Sequence, residues 1–93
     1  TKVIDIINIL NEYEIIIDVY DPCADFSKFD DSLNINIIKR LSPPCRYDVA
    51  VVTVGHDEFK NKNSNFWKNL ITKEGLIIDL KDIVPREIVN LRL

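Results

Sequence analysis

Val49–Val54 reads Val-Ala-Val-Val-Thr-Val, six residues without a charge and mostly β-branched. A strand with one wet face alternates apolar and polar residues. A run that is apolar on both faces belongs in a sheet covered on both sides, the usual setting of parallel strands joined by helices. Ile15–Tyr20 (Ile-Ile-Ile-Asp-Val-Tyr) and Leu76–Leu80 (Leu-Ile-Ile-Asp-Leu) have the same character. Helical spacing precedes the first of these: Val3, Ile6, Ile7, Leu10 and Tyr13 recur at i, i+3, i+4, i+7, with Asp5, Asn8 and Glu12 on other faces. Thr1 suits the N-cap of that helix. The expected class is therefore α/β with a small parallel sheet.

The connections are marked by their own chemistry. Asp21-Pro22 ends the first strand, because proline has no N–H for a ladder. Cys23–Asp31 reads as a polar loop with room for a helical turn, and Ser32–Leu41 as a short strand or a short helix. Pro43-Pro44 makes the next segment a loop. After the second strand Asp57 is placed to cap a helix, which Asn61–Asn65 interrupts and which resumes over Asn65–Ile71. Gly75 marks a turn before the third strand, and Ile83–Leu93 reads as a short helix or turn with Pro85 near its start.

Composition narrows the function. Ninety-three residues, 46% hydrophobic and 29% charged, suit one small globular domain. A net charge of −3 gives no electrostatic case for nucleic acid or an anionic membrane. The longest apolar run is far too short to span a bilayer. Cys23 and Cys45 form no CxxC and sit at no zinc spacing, so they read as incidental thiols of a cytoplasmic protein, and no metal site is expected. Two glycines cannot build a Gly-rich phosphate loop, and neither GxGxxG nor GxxxxGK[ST] is present. The chain has no methionine and opens directly into a helical pattern, as expected of a piece of something longer.

Ligands of open parallel sheets bind beyond the carboxyl ends of the strands. Asp21, the Gly55-His56-Asp57 turn and Asp79-Leu80-Lys81 stand at those three ends. Asp21 suits a ribose hydroxyl or, more simply, a cap of the following turn. His56 suits a general base or a structural loop histidine. Lys81 suits a phosphate or plain exposure to solvent. A receiver-like interaction module is an alternative, although Asp79 and Lys81 do not fit the layout of its phosphoacceptor site. A thiol enzyme using Cys45 and His56 is a further one.

The helix followed by "DVYDP", the strand exit "YDVAVVTVGHDEF" and the closing "GLIIDLKDIVPREIVNLRL" together resemble the C-terminal domain of the UDP-glucose/GDP-mannose dehydrogenase family. The nearest branch oxidises UDP-N-acetylhexosamines for bacterial surface polysaccharides. The resemblance spans nearly the whole chain. It implies a Rossmann-like three-layer sandwich with a small parallel sheet, missing its first, central strand here. It implies that residues 1–93 form a single UDP-binding domain of a larger dimeric or oligomeric dehydrogenase. NAD is held by an N-terminal domain, and the nucleophilic cysteine by a central region. The family oxidises a C6 alcohol to a carboxylate in two hydride transfers. Lys81 matches a basic residue that contacts the UDP portion, although many members carry arginine there in an Asp-Gly-Arg context. Thr1 matches the last residue of a motif whose lysine and arginine precede this chain. Neither Cys23 nor Cys45 matches the catalytic cysteine, so no catalytic residue is expected and the chain alone is expected to be inactive. By the same resemblance His56, Asp21 and Asp79 lie near the nucleotide site in structural roles, with His56 shaping its turn.

Overall fold

A computed structural model describes residues 2–92 of the chain, so the N-cap role expected of Thr1 lies outside the described residues. The fold is α/β with parallel strands throughout. The chain divides into two compact units, Thr1–Leu41 and Ser42–Leu93.

The first unit starts with helix α1, Lys2–Asn11. Ile7 is its buried anchor. Asn11 ends the helix twice over: its Nδ2 donates to the Ile7 carbonyl (3.1 Å), and its Oδ1 accepts the Asn34 amide (2.8 Å). The helix stops short of Tyr13, which is 63% exposed and no part of an apolar face. Strand β1 is Asp18–Val19 and pairs in parallel with β2, Asn36–Ile37. A longer buried strand over Ile15–Tyr20 was expected; instead Ile16 is 89% exposed. The branched residues supply the propensity, but among the described residues β1 pairs only with β2, and a two-residue partner gives the ladder nothing to extend along. Between them Phe26–Lys28 forms a 3-10 turn capped by Asp25, whose Oδ1 accepts the Ser27 amide. The Ser27 hydroxyl and then its amide hold the Asp25 carboxyl below the usual carboxylate range.

The second unit is a three-stranded parallel sheet in the order β3-β4-β5. Strand β3 is Tyr47–Val52, starting and ending two residues before the expected Val49–Val54. Its crossover carries helices α2, Asp57–Lys60, and α3, Ser64–Lys68. Asn63 caps α3 by accepting the Phe66 amide at 3.0 Å, so the second helix starts and ends earlier than the expected Asn65–Ile71. Phe59, Trp67 and Leu70 from this crossover are buried, as are Val52, Ile77 and Val84. These six make the core of the unit. The opposite face of the sheet carries Val49 beside Leu76, and Val51, Ile78 and Leu91 in one row. Val49, Val51, Leu76 and Leu91 stay substantially exposed.

Strand β4 is Ile71–Asp79, longer than the expected Leu76–Leu80. Tyr47 pairs with Ile71, but Val49 already pairs with Leu76, so β4 bulges over the residues between. Gly75 sits in that bulge and is not a turn between elements. A Cβ there would lie 2.7 Å from the Ile71 Cβ and 3.1 Å from the backbone N and O of Thr72. The tail forms a 3-10 turn, Arg86–Ile88, after Pro85. It then adds a strand that the sequence does not announce: β5, Leu91–Arg92, parallel to β4. Asn90 starts that ladder, its Oδ1 accepting the Ile77 amide (2.8 Å) and its amide donating to the Ile77 carbonyl (2.9 Å).

Gly75→Ala is expected to lower the free energy of unfolding by about 1–3 kcal/mol, because Ile71 and the Thr72 backbone must move. Gly55→Ala meets its neighbours at 3.7–3.9 Å and should stay within about 0.5 kcal/mol. Denaturant midpoints of the two variants check the contrast; equal midpoints would mean that the bulge is not closed against Ile71.

Candidate functional site

Because β3 and β4 are parallel and Val52 pairs with Asp79, both strands end at the same edge. The Leu80 amide donates to the Val52 carbonyl at 2.9 Å and carries the ladder one step further. The two exit segments then lie side by side. A Cβ on Gly55 would sit 3.8 Å from the Lys81 Cβ, 3.9 Å from the Lys60 Cε and 3.7 Å from the Ile83 Cγ2. Two lysine stems thus flank the glycine at the end of β3.

Asp79 organises the second exit. It is fully buried. Its Oδ1 accepts the Lys81 amide (3.0 Å), and its Oδ2 accepts the amides of Ile83 and Val84 (2.9 Å each). Three backbone donors on one carboxylate are the kind of compensation a buried charge requires. Register places Arg92 beside it on β5, where Nη2 lies 3.7 Å from Asp79 Oδ2 and donates to the Val84 carbonyl at 2.9 Å. Arg92 Nη1 pairs with the Asp82 carboxylate. Asp82 has φ 59°, the left-handed region that non-glycine residues seldom occupy. Arg86 approaches Asp82 from the surface at 3.9 Å.

Lys81 is exposed and enters no ion pair among the described residues. Lys60 pairs with Asp57 at 3.6 Å on the surface, a contact of little energetic weight. The stems of Lys81 and Lys60 bring positive charge to the sheet edge. That is the chemistry of an anion contact.

His56 occupies the N-cap of α2 in extended conformation (φ −62°, ψ 147°) and makes no side-chain cap bond; its carbonyl accepts the Phe59 amide at 2.9 Å. Its ring lies tilted against Phe59, 6.0 Å between centroids. The helix therefore begins at Asp57, and the cap expected of Asp57 falls to the preceding residue. Asp21 belongs to the first unit. There its Oδ1 accepts the Cys23 amide at 2.9 Å, an Asx turn just past β1. Cys23 and Cys45 are both free thiols, Cys45 pointing its sulfur at the Ser42 carbonyl (3.6 Å).

The structure brings together Lys81, Asp79 and the strand exit that carries His56. Arg92 joins them, and sequence reasoning missed it because β5 was missed. The pairing of a buried strand-end acid with a basic residue near the chain's end was its sole sequence trace. A groove of about 350 Å³ lies elsewhere on β4, at the bulge, lined by Lys68, Ile71, Lys73, Gly75, Ile77 and Ile88 among others. None of the candidate residues lines it. No helix is long and apolar enough to cross a membrane among the described residues.

Comparison with known proteins bears on the family. The family described as UDP-glucose/GDP-mannose dehydrogenase family, UDP binding domain, matches residues 1–86. A UDP-N-acetyl-D-glucosamine 6-dehydrogenase of Pseudomonas aeruginosa is 34% identical over 95 residues, covering 100% of this chain and 22% of the relative. A UDP-N-acetyl-D-glucosamine 6-dehydrogenase of Salmonella typhi is 28% identical over 93 residues, with the same coverage. The chain thus spans about a fifth of the length of these relatives. No solved structure matches it significantly.

Asp79→Asn is expected to cost about 2 kcal/mol or more, since the amide NH2 would face backbone donors that now meet oxygen. Hydrogen exchange should show the loss at the amides of Lys81, Ile83 and Val84. Unchanged protection there would remove Asp79 from its place as the anchor of the loop.

Proposed function

Since the chain belongs to the UDP-glucose/GDP-mannose dehydrogenase family, we propose that it is the UDP-binding part of an NAD-dependent UDP-sugar 6-dehydrogenase serving bacterial surface polysaccharide synthesis. The observation that carries this reading is the meeting of Gly55 and Lys81 at the carboxyl edge of the sheet, on a loop fixed by Asp79. A diphosphate brings negative charge to that edge, and the Lys81 ammonium is a compact positive point charge to receive it. Asp79 acts by holding the loop, His56 by shaping the turn into α2, and Asp21 by closing the turn after β1. The relatives' names point to UDP-N-acetyl-D-glucosamine as the sugar nucleotide.

NAD does not fit the residues present. Gly55 and Gly75 are the two glycines of the chain, and neither has positive φ. A pyrophosphate cradle needs several close backbone approaches that other residues block. In this reading NAD and the reacting cysteine are held by other domains of the same enzyme, and the chain's task is to bind and orient the nucleotide. Two free thiols support a cytoplasmic location.

Self-association belongs to the same proposal. β1 and β3 each carry an edge without a ladder partner among the described residues, and such edges invite another strand. Sedimentation of the isolated chain at micromolar concentration is expected to show a dimer or larger; a clean monomer would argue against it.

In the full-length enzyme, Lys81→Ala should raise KM for the UDP-sugar roughly ten- to a hundredfold, the equivalent of a charge-assisted contact of roughly 1.5–3 kcal/mol, and leave KM for NAD nearly unchanged. Lys81→Arg should retain most activity. His56→Ala should cost far less than Lys81→Ala. Steady-state kinetics decide it: abolished turnover in His56→Ala with an unaltered UDP-sugar KM in Lys81→Ala would reverse both assignments.

A further inference from the structure

We propose that Arg92 is a positioning residue for nucleotide binding, acting through the loop that presents Lys81. The inference rests on the reading of Lys81 as the diphosphate contact. Arg92 is 13 residues beyond Asp79 in sequence and touches the loop at three places. Its guanidinium lies by Asp79 Oδ2 (3.7 Å), pairs with the Asp82 carboxylate, and donates to the Val84 carbonyl (2.9 Å). These three residues bracket Lys81 on both sides. The Lys81 amide is itself bound to Asp79 Oδ1 (3.0 Å). The loop thus has its backbone tied at Lys81, Ile83 and Val84 from one side and its turn residue held from the other.

Asp82 is the part that most needs holding. Its φ of 59° lies in the left-handed region, which aspartate tolerates better than most residues with a Cβ but still at an energetic cost. Asp82 follows Lys81 directly, so any relaxation of this φ re-aims the Lys81 stem. Arg92 suits the task because a planar fork reaches a carboxylate and a carbonyl together, which an ammonium on a single stem does not do at fixed geometry. Its side chain is largely buried at 22% exposure, whereas Arg86, the other cation near Asp82, is almost fully exposed at 82%. Arg92 is therefore the more enclosed member of the pair. Its contacts are to Asp79, Asp82 and the Val84 carbonyl, so in this proposal its effect on a ligand passes through Lys81.

The test uses the full-length protein and UDP as the probe. UDP and NAD affinities are measured by calorimetry for wild type, Lys81→Ala, Arg92→Gln, Asp82→Asn and the double variant Lys81→Ala/Arg92→Gln. Arg92→Gln is expected to weaken UDP about tenfold and to leave NAD unchanged. In the Lys81→Ala background its effect should vanish, because nothing remains to be positioned. Asp82→Asn opens the exposed side of the clamp while asparagine tolerates the same φ. It should weaken UDP about threefold and carries the test if Arg92→Gln does not fold. An equal UDP loss with and without Lys81, or a parallel loss of NAD affinity, would show a general structural role and overturn the inference. So would full UDP affinity in folded Arg92→Gln or Asp82→Asn when Lys81→Ala has lost it. If Lys81→Ala itself keeps full UDP affinity, the reading of Lys81 fails first and the inference falls with it.

Discussion

The second unit depends on a carboxylate taken entirely out of water. Burying Asp79 opposes folding by several kcal/mol before any compensation. The compensation comes from the segment just past the strand, whose amides at Lys81, Ile83 and Val84 all turn back onto the same side chain. Each charge-assisted bond returns about 1.5–3 kcal/mol, so the group breaks even only if the whole loop folds around it. Strand end, loop and carboxylate thus stabilise one another, with Arg92 adding a cation beside the carboxylate. This makes the carboxyl end of β4 a fixed place from which a lysine can be presented.

The same interaction explains how much was legible. The apolar runs "VAVVTV" and "LIID" are a local property: Val49–Val52 of the first and all of the second lie in strands. The beginning of β4 was not legible: Thr72-Lys73-Glu74-Gly75 carries two charges and a glycine and reads as a turn. It is held in the strand by pairing to Tyr47 across a bulge, which no local pattern encodes. β5 was hidden for a related reason. Two residues, Leu91 and Arg92, have no periodicity to detect, and their strand exists because Asn90 and Arg92 find Ile77 and Asp79 on the neighbouring strand. The opposite error occurred at Ile15–Tyr20, where propensity was strong but the partner strand among the described residues, β2, is only two residues long.

The candidate site was read at the level of position. A strand that ends in Asp79 places Lys81 at the sheet edge whatever the details, and the same argument places His56 at the exit of β3. What position could not give was which residue each side chain would meet. The cap of α2 shows this. Asp57 has the better capping chemistry, but the chain leaves β3 extended through His56 and turns helical at Asp57. The last extended residue before the helix, His56, becomes the cap by its backbone geometry and makes no side-chain cap bond. Arg92 lay beyond reach for the same reason as its strand.

Charge gives the last constraint on how such a site can work. With a net charge of −3, the chain as a whole repels an anionic nucleotide. At physiological salt that repulsion is screened over about 8 Å, so it scarcely opposes a cation held close to the ligand. A few cations fixed at the sheet edge therefore outweigh a larger number of distant carboxylates. Two glycines leave no flexible backbone cradle to wrap the phosphates, so the burden falls on side chains and on how firmly their loop is held. Lys60 is partly engaged by Asp57, and Arg86 is exposed. Lys81 stands on the segment whose amides are tied to the buried Asp79, so if it meets a diphosphate as proposed, it does so from a loop that is already held.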